Sequence, residues 1–242
     1  MILGIHGSTG HMGRVLAELY ASEEPATHIL GFHTGRPLAE HEGPPLDVII
    51  DFSHRDALPE VLDYCRSHGT PLVLATTGFD PEAVTQIHEA AASFPLFQSA
   101  NLSLGIHALR ALVREAARLL GEDADIEIIE RHHRRKLDAP SGTALLLLEE
   151  ASRGVDPKVV HGRSGQAPRT PGEIGIHAVR GGTIVGEHTV LFALNGETIE
   201  LTHRGESRAL FARGAMKAAS FIRHQAPGLY GMADLFRPED ES

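Results

Sequence analysis

The chain reads as an α/β protein in two parts: an N-terminal doubly wound parallel sheet, then a second α+β domain whose open sheet is mainly antiparallel. Three observations carry that reading. Through the first hundred residues, short apolar runs alternate with helical stretches of about ten to fifteen residues, the rhythm of a parallel sheet. From Ile174 the apolar period changes to two, and Gly181-Gly182 and Asn195-Gly196 separate the runs as hairpin turns would. Between the halves, residues 130–144 gather two histidines, a lysine and three arginines, in a chain of formal net charge −10.

Ile2-Leu3-Gly4-Ile5-His6 is a short apolar strand, followed by Gly7-Ser8-Thr9-Gly10-His11-Met12-Gly13. A helix then presents Met12, Val15, Leu16 and Leu19 on one side. A glycine turn between a strand and a helix lets backbone N–H groups and the helix dipole meet a pyrophosphate. The spacing is GxxGxxG rather than GxGxxG, and it still keeps side chains away from the phosphates. A second strand, 28–32, ends in Phe32-His33-Thr34-Gly35-Arg36. In a Rossmann-like sheet an acid at this place reads a free ribose 2′-hydroxyl, whereas an arginine accommodates a 2′-phosphate. The neutral end with Arg36 beside it tilts the expectation toward NADPH over NADH.

Asp47–Phe52 is a third strand, followed by a helix from about 56 to 67 with Ala57, Leu58, Val61, Leu62 and Cys65 on its apolar side. Cys65, the one cysteine, is therefore expected to be a buried thiol. Pro71–Thr76 is a fourth strand leading into Thr77-Gly78. Asp80-Pro81-Glu82 has the form of a helix start, with Asp as N-cap and Pro at the first helical position. Pro95–Gln98 is a fifth strand, leading into Ser99-Ala100-Asn101-Leu102-Ser103. Ligands of such sheets lie beyond the C-terminal strand ends, so the loops after strands one, four and five are the expected cofactor edge.

Ser103 opens a long helix with the stripe Leu104, Leu109, Leu112, Val113, Ala116, Leu119 and Leu120, ended by Gly121. A strand over 124–129 delivers the cationic run. Ser141-Gly142-Thr143 would start the next helix, where free N–H groups favour a carboxylate or phosphate. Gly154 to Gly172, rich in glycine and polar residues, reads as a mobile loop. Four β runs follow, at 174–179, 183–185, 188–192 and 197–202, and then a helix with Leu210, Phe211, Ala215, Ala218, Ala219 and Ile222 on one side.

The acidic balance argues against a nucleic-acid partner, whose phosphates want a basic face. No apolar run approaches ~18 residues, so no membrane span is expected, and no secretory signal is read at the start. A cytoplasmic protein is the expectation.

The cationic run has the form Glu130-x-His132-His133-x-x-Lys136-x-Asp138-Ala139-Pro140-Ser141-Gly142-Thr143-Ala144. It resembles the signature of the dihydrodipicolinate reductases, the 4-hydroxy-tetrahydrodipicolinate reductases of lysine and diaminopimelate biosynthesis. The glycine loop, Ala75-Thr76-Thr77 and Ser99-Ala100-Asn101-Leu102 are similar to the family's loops at those places. The family often carries an acidic residue after the second strand, and this chain departs from that.

The resemblance implies hydride transfer from NADPH or NADH to a small cyclic imine bearing two carboxylates. It implies His132 as proton donor, with Lys136 as a second donor that steadies the charge. His133 would hold one substrate carboxylate, and Ser141, Gly142 and Thr143 the other. The cofactor would lie against Gly7 to Met12, His33, Thr34, Arg36, Ala75 to Thr77 and Ser99 to Leu102. Neighbouring cations should depress the pKa of His132 and Lys136, with Glu130 and Asp138 structural. Residues 1–103 and 208–242 would form the dinucleotide-binding domain, with Arg208 at the crossover. Residues 104–207 would form the substrate-binding and oligomerisation domain, paired through its sheets in a homotetramer.

Other readings compete. Zinc at the paired histidines is disfavoured by the surrounding cations and by side chains that alternate in direction. Another NAD(P)-dependent imine or carbonyl oxidoreductase is compatible with the fold. A non-catalytic dinucleotide sensor would keep the glycine loop without needing His132 and Lys136.

Overall fold

The structure, a computed structural model, describes residues 1–152 and 156–236. The chain divides into two compact units, one formed by Met1–Ser103 with the chain from Arg208 onward, the other by Leu104–Ser207.

In the first unit, β1 (Ile2–His6), β2 (His28–Phe32), β3 (Val48–Asp51), β4 (Leu72–Leu74) and β5 (Pro95–Gln98) are joined by a sixth strand, numbered β11 in chain order (Gly228–Tyr230). Every pairing is parallel, in the order β11-β5-β4-β3-β1-β2. The order reverses between β1 and β3, so the loop after β1 opens at the switch point of a doubly wound sheet. Leu3, Ile5, Val48, Ile49, Ile50, Leu72, Val73 and Leu74 are fully buried, as strands covered on both faces require. The helices α1 (His11–Glu23), α2 (Leu58–His68) and α3 (Pro81–Ala90) connect the strands. Asp80 caps α3 through its carboxylate, which accepts from Ala83 N–H at 2.8 Å. Cys65 is fully buried on α2 and burial drives its thiol pKa up, which leaves it a packing residue.

In the second unit, α4 (Leu104–Leu120) and α5 (Gly142–Ser152) pack on one face of a five-stranded sheet. Its strands are β6 (Asp125–His132), β7 (Lys158–His161), β8 (Glu173–Arg180), β9 (Gly186–Leu194) and β10 (Glu197–Gly205), in the order β10-β9-β6-β8-β7. The chain returns to the first unit through α6 (Ala209–Ile222).

The second sheet is mixed rather than mainly antiparallel. β6 pairs antiparallel with β9 and parallel with β8, and β7 is parallel to β8. β6 lies between β8 and β9, so Gly181-Gly182 leads a crossing connection and closes no hairpin. Residues 183–185 form no strand. Asn195-Gly196 does close one, between β9 and β10. Two strands were not expected: β11, and β7 within the segment read as a mobile loop. Gly154 lies outside the described residues; further along, Arg163 and Arg169 tie the segment to Glu127 and Glu173.

The stripe on α4 also shifts. Leu112 and Leu119 are exposed, while Ile106 and Ala117 are buried in their place.

Candidate active site

Along β6 the side chains alternate, and Ile126, Ile128, Glu130 and His132 face the helices. The buried face is apolar for two positions and then turns acidic and basic. β8 follows Ile174, Ile176 and Ala178 with Arg180, opposite His132 in the register, and β9 places His188 opposite Glu130. Three strands therefore bring polar groups to one patch under the start of α5.

Glu130 is fully buried, and both carboxylate oxygens are in use. Oε2 lies 2.6 Å from His132 Nδ1 and accepts from Arg180 Nη1 at 2.7 Å. Oε1 accepts from Arg180 Nη2 at 2.7 Å and from Ser141 N–H at 3.0 Å. Burial alone would raise the Glu130 pKa, but its bonds to Arg180 and His132 outweigh that and hold it below the usual carboxylate range. Arg180 Nη2 also donates to the Asp138 carbonyl at 2.6 Å, fastening the loop that carries Lys136. Lys136 itself pairs with the Asp138 carboxylate at 2.8 Å. The Ala139–Pro140 peptide in this loop is cis.

Ser141 precedes α5, and its Oγ accepts from Ala144 N–H at 3.2 Å and lies 3.1 Å from His188 Nε2. The rings of His132 and His188 meet edge to face, 5.1 Å between centroids. Burial holds the His132 pKa below the ordinary histidine value, with Lys136 and Arg180 acting the same way and Glu130 opposing them. The depression expected from neighbouring cations is present, but desolvation is its larger cause. His188 is pushed down to about 3, by burial first and then by His132.

The structure thus brings His132 and Ser141 together through Glu130, with Gly142 and Thr143 next on α5 and Lys136 in the fastened loop. His133 follows β6 with its ring half-buried. Glu130, read as structural, is the centre of the cluster, and Arg180 and His188 were not singled out at all. Their signal was present: in each strand they stand where the buried face of an alternating apolar run stops being apolar. Among the described residues no group of three or more His, Cys, Asp or Glu is placed to hold a metal ion.

In the first unit, the loops that follow β1, β2, β4 and β5 all leave the same edge of the parallel sheet. Gly7 has φ +80°, and a Cβ there would lie 2.6 Å from the Phe52 carbonyl. At Gly13 a Cβ would stand 2.4 Å from the Gly7 carbonyl, so α1 can press against the turn only with glycine there. The N–H groups of Gly7 and Ser8 are spent on the Phe32 carbonyl, at 3.0 and 3.1 Å, and are not offered to a ligand as expected. The N–H groups of the first turn of α1 remain, because the N-cap Gly10 makes no side-chain capping bond. Thr9, Gly10 and His11 are exposed around that helix end, with Met12 half-buried beside them. The place fits a pyrophosphate.

After β2, His33 and Arg36 close a turn by exchanging backbone bonds of 3.1 and 2.8 Å around Thr34 and Gly35. The exposed Arg36 guanidinium stands 5.6 Å from the Phe32 ring centroid. After β4, Ala75 N–H bonds the Asp51 carbonyl, and Thr76 Oγ1 donates to Asp51 Oδ2 at 2.6 Å, with Thr77 exposed. Asp51 is buried and also meets His6 Nδ1 at 2.7 Å and Ser53 Oγ at 2.5 Å. This network under the cofactor edge was not expected. After β5, Ser99 Oγ donates to the Asn101 carbonyl and Asn101 Oδ1 accepts from Ser103 N–H. Ala100 is exposed and Leu102 is buried.

Comparison with known proteins agrees with both units. Residues 1–102 match the family model for the N-terminus of dihydrodipicolinate reductase, and residues 105–236 match that for its C-terminus. The chain belongs to the dihydrodipicolinate reductase family.

Among its relatives, the 4-hydroxy-tetrahydrodipicolinate reductase of Alkaliphilus metalliredigens is 44% identical, over 97% of this chain and 98% of that one. The enzyme of that name from Caldanaerobacter subterraneus is 45% identical, over 96% and 97%. A dipicolinate-bound dihydrodipicolinate reductase from Paenisporosarcina sp. TG-14 has the same fold, with a TM-score of 0.73 at 23% identity over 97% of this chain and 98% of that one. A probable dehydrogenase from Thermotoga maritima, at 11% identity over 97% and 92%, follows with a TM-score of 0.61. As a dihydrodipicolinate reductase family member, the chain is an oxidoreductase that uses NADH or NADPH, and its N-terminal unit is the dinucleotide-binding one.

Proposed function

We propose that the chain converts 4-hydroxy-tetrahydrodipicolinate to tetrahydrodipicolinate, with His132 as the proton donor. The ring takes up one hydride and one proton, and the hydroxyl leaves as water with a hydrogen of the adjacent ring carbon. NADPH or NADH supplies the hydride when bound, and the first-turn N–H groups of α1 would receive its pyrophosphate. Thr76 and the 99–102 loop would steady the nicotinamide half. The second unit holds the substrate. One carboxylate is met by Gly142 and Thr143 at the start of α5, beside Ser141, and the other by His133. As negative charge accumulates on the ring, Lys136 steadies it and His132 delivers the proton.

The observation that carries this reading is the cluster around Glu130. An imidazole is held by one ring nitrogen beside a helix N-terminus and a lysine, which is what protonating a small dianion requires. Asp138, now paired with Lys136, would be exchanged for a substrate carboxylate of the same charge. The substrate is accordingly a small cyclic dicarboxylate. We further propose a homotetramer working in the cytoplasm, where a nicotinamide-dependent biosynthetic step finds its cofactor.

The test is oxidation of NADPH or NADH, followed by absorbance, when the product of the preceding synthase is generated in place. Wild type should turn over. Lys136→Ala and His132→Ala should each lower kcat by about 10²-fold or more. Binding of NADPH without turnover in wild type would favour a dinucleotide sensor and overturn the assignment.

A further inference from the structure

We infer that Glu130 and Arg180 are positioning residues for proton delivery: the Arg180-clamped carboxylate holds His132 through Nδ1, so that Nε2 is the atom that gives up the proton. The inference rests on the reading of His132 as the donor.

An ionised carboxylate only accepts, so the 2.6 Å contact requires the hydrogen on Nδ1. That fixes one tautomer of the neutral ring and leaves Nε2 as the site that is loaded and unloaded. Nε2 has no hydrogen-bond partner among the described residues. Glycine at 186 keeps it open, since a Cβ there would stand 3.1 Å from Nε2. The neighbouring His188 has no such support. Its Nε2 faces Ser141 Oγ, and its buried Nδ1 has no hydrogen-bond partner among the described residues. Of two imidazoles 5.1 Å apart, one is built to carry a charge and the other to stay neutral.

Arg180 gives the arrangement its rigidity. Its two parallel bonds to Glu130 form the bidentate geometry that fixes a carboxylate plane. The same guanidinium holds the Asp138 carbonyl, and the same carboxylate holds Ser141 N–H. One buried ion pair therefore links the imidazole, the loop of Lys136 and the start of α5. A plain strand-to-strand salt bridge would hold the sheet without touching the imidazole at all. Burial, Lys136 and Arg180 all work against protonation of His132, and Glu130 opposes them.

The experiment is nitrogen NMR of the histidine rings in the full-length protein, titrated without ligand, with kcat measured against pH. In wild type, neutral His132 should carry its hydrogen on Nδ1. In Glu130→Gln the two tautomers should mix, and the His132 midpoint should fall by about one pH unit. kcat should drop roughly 10²-fold, its high-pH limb moving to lower pH, with KM for NADPH unchanged. Arg180→Lys keeps the charge but gives up the fork. It should show a partial loss of the Nδ1–H form and about a tenfold lower kcat, and it carries the test if Glu130→Gln does not fold. An unmoved tautomer and midpoint in the variants overturns the inference, even where activity falls, because that pattern belongs to a structural role. The predicted NMR changes in a chain that reduces no substrate would count for the coupling and against the reaction.

Discussion

His132 and His188 share one patch, yet the residues around them divide their work. Of the two rings the carboxylate bonds His132, and once His132 takes up a proton a second charge at 5.1 Å becomes costly. His188 has its pKa lowered to about 3 in the fold, against about 6.5 for a free histidine. The unfolded chain therefore binds this proton more readily than the folded one. The stability held by the neutral, buried ring is complete above about pH 6.5 and drains away as pH falls toward the folded value. Urea unfolding of wild type should weaken through this window, and His188→Gln should weaken less steeply. Parallel slopes would mean that His188 is not kept neutral by the fold. Glu130 and Arg180 were readable only as polar interruptions of buried apolar faces. Their partnership needs β6 and β8 side by side, and no local spacing announces a parallel pairing between residues 50 positions apart.

Elements with local causes were legible. The cap at Asp80 followed from Asp-Pro-Glu and is present, so Asp80→Ala should cost about 1 kcal/mol of stability. The urea midpoint measures it at unchanged slope, and no change would show that the Ala83 N–H is satisfied without the cap. The hairpin at Asn195-Gly196 was legible for the same reason, because a two-residue turn dictates the pairing of the strands it joins. Gly181-Gly182 misled, since a glycine pair marks a turn without saying what the next strand pairs with. β6, already in place from earlier in the chain, takes the position between β8 and β9. On α4, leucines lie on several sides, and the face that is buried depends on where α5 and β10 press. Ile106 and Ala117 won that place over Leu112 and Leu119.

At the scale of the whole molecule, the second sheet has one face under α4 and α5, and among the described residues of that unit no helix packs on the other. That open face carries Ile129, Val179, Leu191, Thr189 and Thr202, bordered by the ion pairs of Glu127 and Glu187. An apolar strip with a charged rim is the surface that the proposed homotetramer would bury. Light scattering should give a mass of four chains, and Leu191→Asp should reduce it with the far-ultraviolet spectrum unchanged. A wild-type monomer would remove the tetramer proposal.

The sequence by itself determined the alternation of strands and helices in the first unit, the glycine loop after its first strand and the motif that names the family, because each is written in a short local run of residues. The tertiary structure decided which strands flank β6, which face of α4 is buried, and that a carboxylate read as scaffolding sits at the centre of the site. Those outcomes follow from pairing and packing between distant segments, where the energy belongs to a contact and neither partner encodes it alone.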